Sequence, residues 1–128
     1  KNLVIYFYPK DDTPGCTVEA CSFRDNVSAI RKLGAEIVGV SLDPVKSHAK
    51  FRDKFQLNFP LLADEKIEMS KAYGVYQEKS MYGRKYWGLV RNTYIVGADG
   101  KILKIFEKVK PAEHTQEVVD FLKSLKKA

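Results

Sequence analysis

The chain has 128 residues, 45% of them hydrophobic and 30% charged, which is enough apolar material for one compact domain with its own core. Its formal net charge of +6 comes from scattered lysines, of which Lys123, Lys126 and Lys127 cluster near the end of the last predicted helix, where cations suit the dipole, with no basic stripe interleaved with aromatics; nucleic acid is excluded as a partner, and the charge serves solubility and the docking of acidic partners. No apolar run reaches the length of a membrane span, no signal-peptide layout opens the chain, and two cysteines are too few for a disulfide scaffold, so a cytoplasmic protein with chemically employed thiols is expected.

In chain order, Leu3 to Tyr8 is an unbroken β-branched and aromatic run, the pattern of a buried strand. Two prolines, a glycine and a threonine follow between Pro9 and Gly15 and force a sharp turn. Beyond it Ala20, Phe23, Val27 and Ile30 recur at steps of three and four, the stripe of an amphipathic helix, which Gly34 ends. Ala35 to Ser41 reads as a parallel strand after a helical crossover. Asp43 is expected to cap a second helix with Pro44 at its first position, and Val45, Ala49 and Phe55 as apolar members. A loop through Asn58-Phe59-Pro60 leads to Leu61-Leu62-Ala63-Asp64, then a brief helix from Ile67 to Tyr73 closed by Gly74. Val75 to Val90 mixes charges with aromatics and reads as a short strand or loop over one face of the sheet. Asn92 to Val96 and Ile102 to Val109 flank Gly97-Ala98-Asp99-Gly100, a hairpin signal. The last helix runs from about Ala112 to Lys126, with Val118, Phe121, Leu122 and Leu125 on its buried face. Parallel strands first and a hairpin afterwards give an α/β thioredoxin-like fold, a mixed central sheet flanked by helices, in a single domain over residues 1–128.

Cys16 lands in the first turn of the first helix, where unpaired backbone N–H groups and the positive end of the helix dipole favour a thiolate. A free thiol in such a domain is either an inert core residue or a nucleophile, and the placement argues for the nucleophile. Metal binding fails on count. The only histidines, His48 and His114, are far from both cysteines in sequence, lack ligand spacing and read as solvated helix residues. With no phosphate-cradling glycine loop and no haem or flavin motif, no cofactor is expected.

The pattern Pro9-x-x-x-Thr13-x-x-Cys16 resembles the active-site loop of the peroxiredoxins, and Thr13-Pro14-Gly15-Cys16-Thr17 with Cys21 is similar to their bacterioferritin-comigratory-protein (PrxQ) branch. The likeness extends through Asp25-Asn26, Asn58 to Asp64, Tyr73-Gly74-Val75 and Arg91 to Val96. It implies a peroxidase that reduces hydrogen peroxide and organic hydroperoxides, is recycled by thioredoxin or a similar dithiol, and is monomeric. Cys16 would attack the peroxide and become a sulfenic acid. Thr13 would offer a hydroxyl to the thiolate or the peroxide. Arg91 matches the family's active-site arginine, whose planar fork suits two oxygens and a sulfur, with Arg24 as its rival. Pro9 would shield the thiolate, Gly15 and Cys16 N–H groups would face substrate oxygens, and Glu19 is either a family match or a helix-start carboxylate. Relatives of this kind carry further residues ahead of the first strand, so a missing front section and an exposed sheet edge are expected.

The same resemblance makes Cys21 the resolving cysteine, against the alternative of a buried helix residue. On an ideal helix the two Cα atoms lie roughly 8.6 Å apart, and a disulfide wants no more than about 7 Å. The helix must therefore unwind locally at each turnover. Two other functions stay open: a general disulfide oxidoreductase, which would want Cys-x-x-Cys at the helix start, and a non-catalytic redox sensor.

Overall fold

The computed structural model describes residues 1–127, with the side chain of Lys127 and all of Ala128 outside the description. The sequence expectation that Lys127 places a charge at the last helix end therefore lies outside the described residues. Among the described residues, seven strands and four helices follow in order: β1 Asn2–Phe7, α1 Pro14–Lys32, β2 Ala35–Ser41, α2 Val45–Phe55, β3 Leu61–Ala63, α3 Glu68–Ala72, β4 Tyr76–Met81, β5 Arg84–Leu89, β6 Thr93–Val96, β7 Ile102–Phe106 and α4 His114–Lys127. Five strands form one mixed sheet in the order β3-β2-β1-β6-β7; β1, β2 and β3 pair in parallel, and β6 and β7 join antiparallel. This is the expected thioredoxin-like arrangement, with β1 at its centre.

A central strand is covered on both faces, which is why β1 is a continuous apolar run instead of an alternating one. Val4, Tyr6 and Tyr8 face α1, α2 and α4, where they pack with Phe23, Ile30, Phe51 and Leu122. Ile5 and Phe7 face the other way, onto Val40, Val75, Leu89 and Tyr94. Phe23 and Ile30 of the α1 stripe are fully buried, and each such side chain contributes about 1.5–3 kcal/mol relative to exposure. Gly39 lies opposite Tyr6 in the β1–β2 register because a Cβ there would come within 2.8 Å of the Tyr6 ring. Gly34 takes the left-handed turn after α1, at φ +82°.

Three expectations change. Asp43 does not cap α2; the cap position belongs to Pro44, because the Asp43 carboxylate accepts from the Asp11 backbone N–H (2.8 Å) and the Ser41 hydroxyl (2.8 Å). The segment 76–89 is a complete β4–β5 hairpin forming its own two-stranded sheet, turned at Tyr82-Gly83 with both residues at positive φ. His48 and His114 are not solvated: they are 4% and 0% exposed. His114 is held by Thr93 Oγ1 at 2.6 Å, against Phe23 and Phe106. Burial lowers its basicity, only partly offset by Glu117, with Arg91 lowering it further. No described helix is long and apolar enough to cross a membrane.

Candidate active site

β1 delivers the chain to the site edge-on: the Tyr8 N–H bonds Val40 and the Phe7 N–H bonds Asn92, so the loop starts from a fixed point between β2 and β6. Asp12 turns the loop in the left-handed region at φ +56°. Thr13 then stands at the α1 cap position in extended conformation, and its carbonyl accepts the Thr17 N–H at 2.8 Å. Pro14 opens the helix, where its missing N–H costs nothing. Cys16 is the third residue of α1, within the turn whose backbone donors have no helical partner. Its side chain is 1% exposed.

Arg91 reaches this thiol from the connection between β5 and β6. Its Nη2 donates to Cys16 Sγ at 3.3 Å, and its Nη1 donates to Glu19 Oε1 at 2.9 Å. The Arg91 carbonyl is fixed in turn by the Val109 N–H. Glu19 lies one helical turn beyond Cys16 on the same face, so one planar guanidinium spans sulfur and carboxylate. Burial pushes the Glu19 carboxyl up to about 7, with Arg91 pulling only partly in the other direction. Its second oxygen, Oε2, is buried without a partner. Arg91 itself loses basicity through burial but gains more from the Cys16 and Glu19 charges and hydrogen bonds, so it stays a cation. Gly15 is part of this contact, because a Cβ there would stand 3.2 Å from Arg91 Nη2 and 3.6 Å from Pro111 Cγ.

Pro9, Val90, Arg91 and Val109 line a cavity of 390 Å³ together with Lys79 and Lys108. A larger cavity of 480 Å³ lies between α2 and the 57–61 segment; neither cavity is lined by a cysteine, but only the smaller one is lined by Arg91, the residue that contacts Cys16. Lys79 donates to the Leu89 carbonyl at 2.9 Å; burial first, then Arg91, hold its ammonium below the usual lysine range. The sequence reading missed Lys79 and Lys108. The Tyr82-Gly83 turn was the available signal that Lys79 sits on an ordered strand folding back toward Arg91.

Arg24 turns away from the site, to Asp25 at 3.0 Å and to the Phe55 carbonyl at 2.7 Å, which leaves Arg91 without a rival. The Thr13 hydroxyl donates to the Lys10 carbonyl at 2.9 Å, closing the loop. Cys21 is half-buried and unpaired, on a helix that runs unbroken from Pro14 to Lys32.

Residues 1–105 match the AhpC/TSA family model. The putative peroxiredoxin bcp of Coxiella burnetii is 45% identical over 119 residues, 93% of this chain and 79% of that one. Peroxiredoxin Bcp of Bacillus subtilis is 42% identical over 125 residues, 98% and 80% of the two chains. Among solved structures, the bacterioferritin comigratory protein of Xanthomonas campestris superposes with a TM-score of 0.91 at 42% identity, over 96% of this chain and 78% of that one. The chain belongs to the AhpC/TSA family, in its bacterioferritin-comigratory peroxiredoxin branch. As a peroxiredoxin it is a thiol peroxidase, an oxidoreductase. A peroxiredoxin needs a sulfur nucleophile beside a fixed cation, and the Cys16–Arg91–Glu19 cluster has that composition.

Proposed function

We propose that this peroxiredoxin reduces hydrogen peroxide and organic hydroperoxides at Cys16. The single observation that carries the reading is the Arg91 guanidinium, 3.3 Å from Cys16 Sγ and anchored at 2.9 Å on Glu19. The thiolate attacks the terminal peroxide oxygen. The S–O bond forms as the O–O bond breaks, sulfur gives up two electrons, and the departing oxygen takes a proton to leave as water or alcohol. Negative charge moves from sulfur to that oxygen along the face of one preorganised cation, where it is stabilised without reorganisation. Pro9, Val90 and Val109 give the cavity an apolar wall that suits an organic substituent. The Xanthomonas campestris relative has alkyl peroxide reduction activity. The Thr13 oxygen, having given its hydrogen to Lys10, keeps lone pairs to accept from a hydroperoxide O–H.

Cys21 then resolves the sulfenic acid. Its sulfur attacks Cys16 Sγ, water leaves, and an intramolecular disulfide remains. Because both cysteines lie in one continuous helix, this step requires α1 to unwind between them. Thioredoxin or a similar dithiol reopens the disulfide by exchange, its own thiols being oxidised. We place the chain in the cytoplasm as a monomer, following the resemblance and the sparing use of cysteine. One assay separates this reading from its alternatives: peroxide loss with dithiothreitol, set against insulin disulfide reduction. The wild type should consume peroxide and leave insulin intact. Cys16→Ser should lose all peroxide turnover with its fold unchanged, and retained turnover would refute the assignment.

A further inference from the structure

The loop that positions Thr13, Gly15 and Cys16 is fastened to α2 by a polar cluster that the peroxide chemistry does not use. Asp11 is its centre. Its Oδ1 accepts from the Tyr8 hydroxyl at 2.6 Å, and its Oδ2 accepts from Ser47 at 2.8 Å and lies 2.7 Å from His48 Nδ1. The other ring nitrogen, His48 Nε2, lies 3.0 Å from the Leu62 carbonyl. A carbonyl oxygen only accepts, and the carboxylate already receives two hydroxyl donors. Imidazole is also far more basic than a carboxylate, at about 6.5 against 3.9. Both ring nitrogens therefore carry hydrogen, and His48 is a buried imidazolium.

We propose that Asp11 and His48 form a buried ion pair that positions the catalytic loop for the peroxide step, and that this step fails when His48 loses its proton. The inference rests on the assignment of that step to Cys16. Without the second hydrogen, one ring nitrogen turns a lone pair on the Asp11 carboxylate or the Leu62 carbonyl, and the loop loses the charged part of its attachment to α2, leaving the Ser47 and Lys54 contacts to hold it. The groups facing His48 are Tyr8 (3.4 Å away) and Asp11 from the β1 end, Asp43 from the β2–α2 connection, the Leu62 carbonyl from β3, and Arg52 on its own helix, which lines the same cavity. Burial alone would lower His48. The Asp11 hydrogen bond and charge, the Leu62 carbonyl and Asp43 together raise it above 6.5. Burial likewise raises Asp11, but the hydrogen bonds from His48, Tyr8 and Ser47 bring its carboxyl below 3.8. The sign follows from both shifts. The pair's contribution is lost as pH rises through the elevated His48 value or falls through the depressed Asp11 value, and it is intact between them.

The test reads the ring and the reaction separately. In the intact chain, ¹⁵N NMR should show both His48 nitrogens protonated at pH 6, with a titration midpoint above 6.5. Stopped-flow oxidation of Cys16 by hydrogen peroxide should fall on the alkaline side with that same midpoint. Asp11→Asn keeps the side-chain shape but removes the charge. It should slow the step on the order of tenfold at neutral pH and move the alkaline limb to lower pH. Amide exchange from Thr13 to Cys16 should rise in that variant, and His48→Gln should repeat the pattern should Asp11→Asn fold poorly. A His48 ring that is neutral at pH 6 or titrates below 6.5 overturns the proposal, as does a folded Asp11→Asn with wild-type rate and profile. If wild-type Cys16 proves inert to peroxide, the site assignment falls, and unchanged exchange in Asp11→Asn then refutes the anchor on its own.

Discussion

Two turns of this molecule, each joining regular elements, are built in opposite ways. The β1–α1 loop makes few backbone bonds of its own. It is held by side chains that come from far along the chain: His48 and Ser47 on Asp11, Lys54 on Asp12, Asp43 on the Asp11 amide, and Arg91 on Cys16. The β4–β5 hairpin is held by its own six-pair backbone ladder, and its outer side chains stand in solvent, with Tyr82 98% and Trp87 58% exposed. The difference shows where precision is needed. A ladder fixes a shape locally and tolerates change in its side chains, whereas a loop pinned by distant charges places one sulfur against one guanidinium and depends on each partner.

The comparison breaks most visibly at Arg91. Arg91→Lys keeps a cation but loses the fork that reaches sulfur and Glu19 together. The second-order rate of peroxide attack should fall tenfold or more, about 1.4 kcal/mol of transition-state stabilisation for each decade. An unchanged rate in stopped flow would show that the fork is not used.

Glu19→Gln should act on stability, with less effect on the rate of peroxide attack than Arg91→Lys. The folded carboxyl is raised from 4.5 to about 7. In that interval the folded state holds a proton that the unfolded state has released, so stability is full at low pH and declines as pH rises through 7. Urea unfolding should show this decline in the wild type, on the order of 3 kcal/mol, and a flattened profile in Glu19→Gln. Identical slopes in the two proteins would mean that Glu19 is not held protonated by its site.

The hairpin should give the smallest effect. Trp87 touches Tyr76 at a ring separation of 5.4 Å and is otherwise exposed, so Trp87→Ala should change stability by about 0.5 kcal/mol or less. The rate of Cys16 oxidation should not move. A loss comparable to that of Arg91→Lys would erase the contrast between the two regions.

What was legible in the sequence follows the same division. The β1–turn–α1 unit is local: a strand run, two prolines and a helical stripe are enough to put Cys16 at a helix start. Arg91, 75 residues away from Cys16, has no local signature and was visible only through resemblance. The burial of His48 was hidden for the same reason, since its partners Asp11 and Leu62 lie 37 and 14 residues away. Asp43 beside Pro44 has the look of a helix cap, but a longer-range demand from the Asp11 amide takes its carboxylate. Segment 76–89 misled because its strands are largely exposed on both faces, so the apolar alternation that reveals a strand is missing.

The central claim is that Cys16 is the sulfur that peroxide oxidises, and Cys21→Ser allows it to be tested without a second thiol. One equivalent of hydrogen peroxide is added to the reduced variant, a sulfenic-acid-specific reagent traps the product, and peptide mass mapping locates the label. The account predicts one label per chain, on the peptide carrying Cys16, and none when Cys16 is also replaced by serine. A reduced variant that consumes peroxide with Cys16 still a free thiol would contradict it.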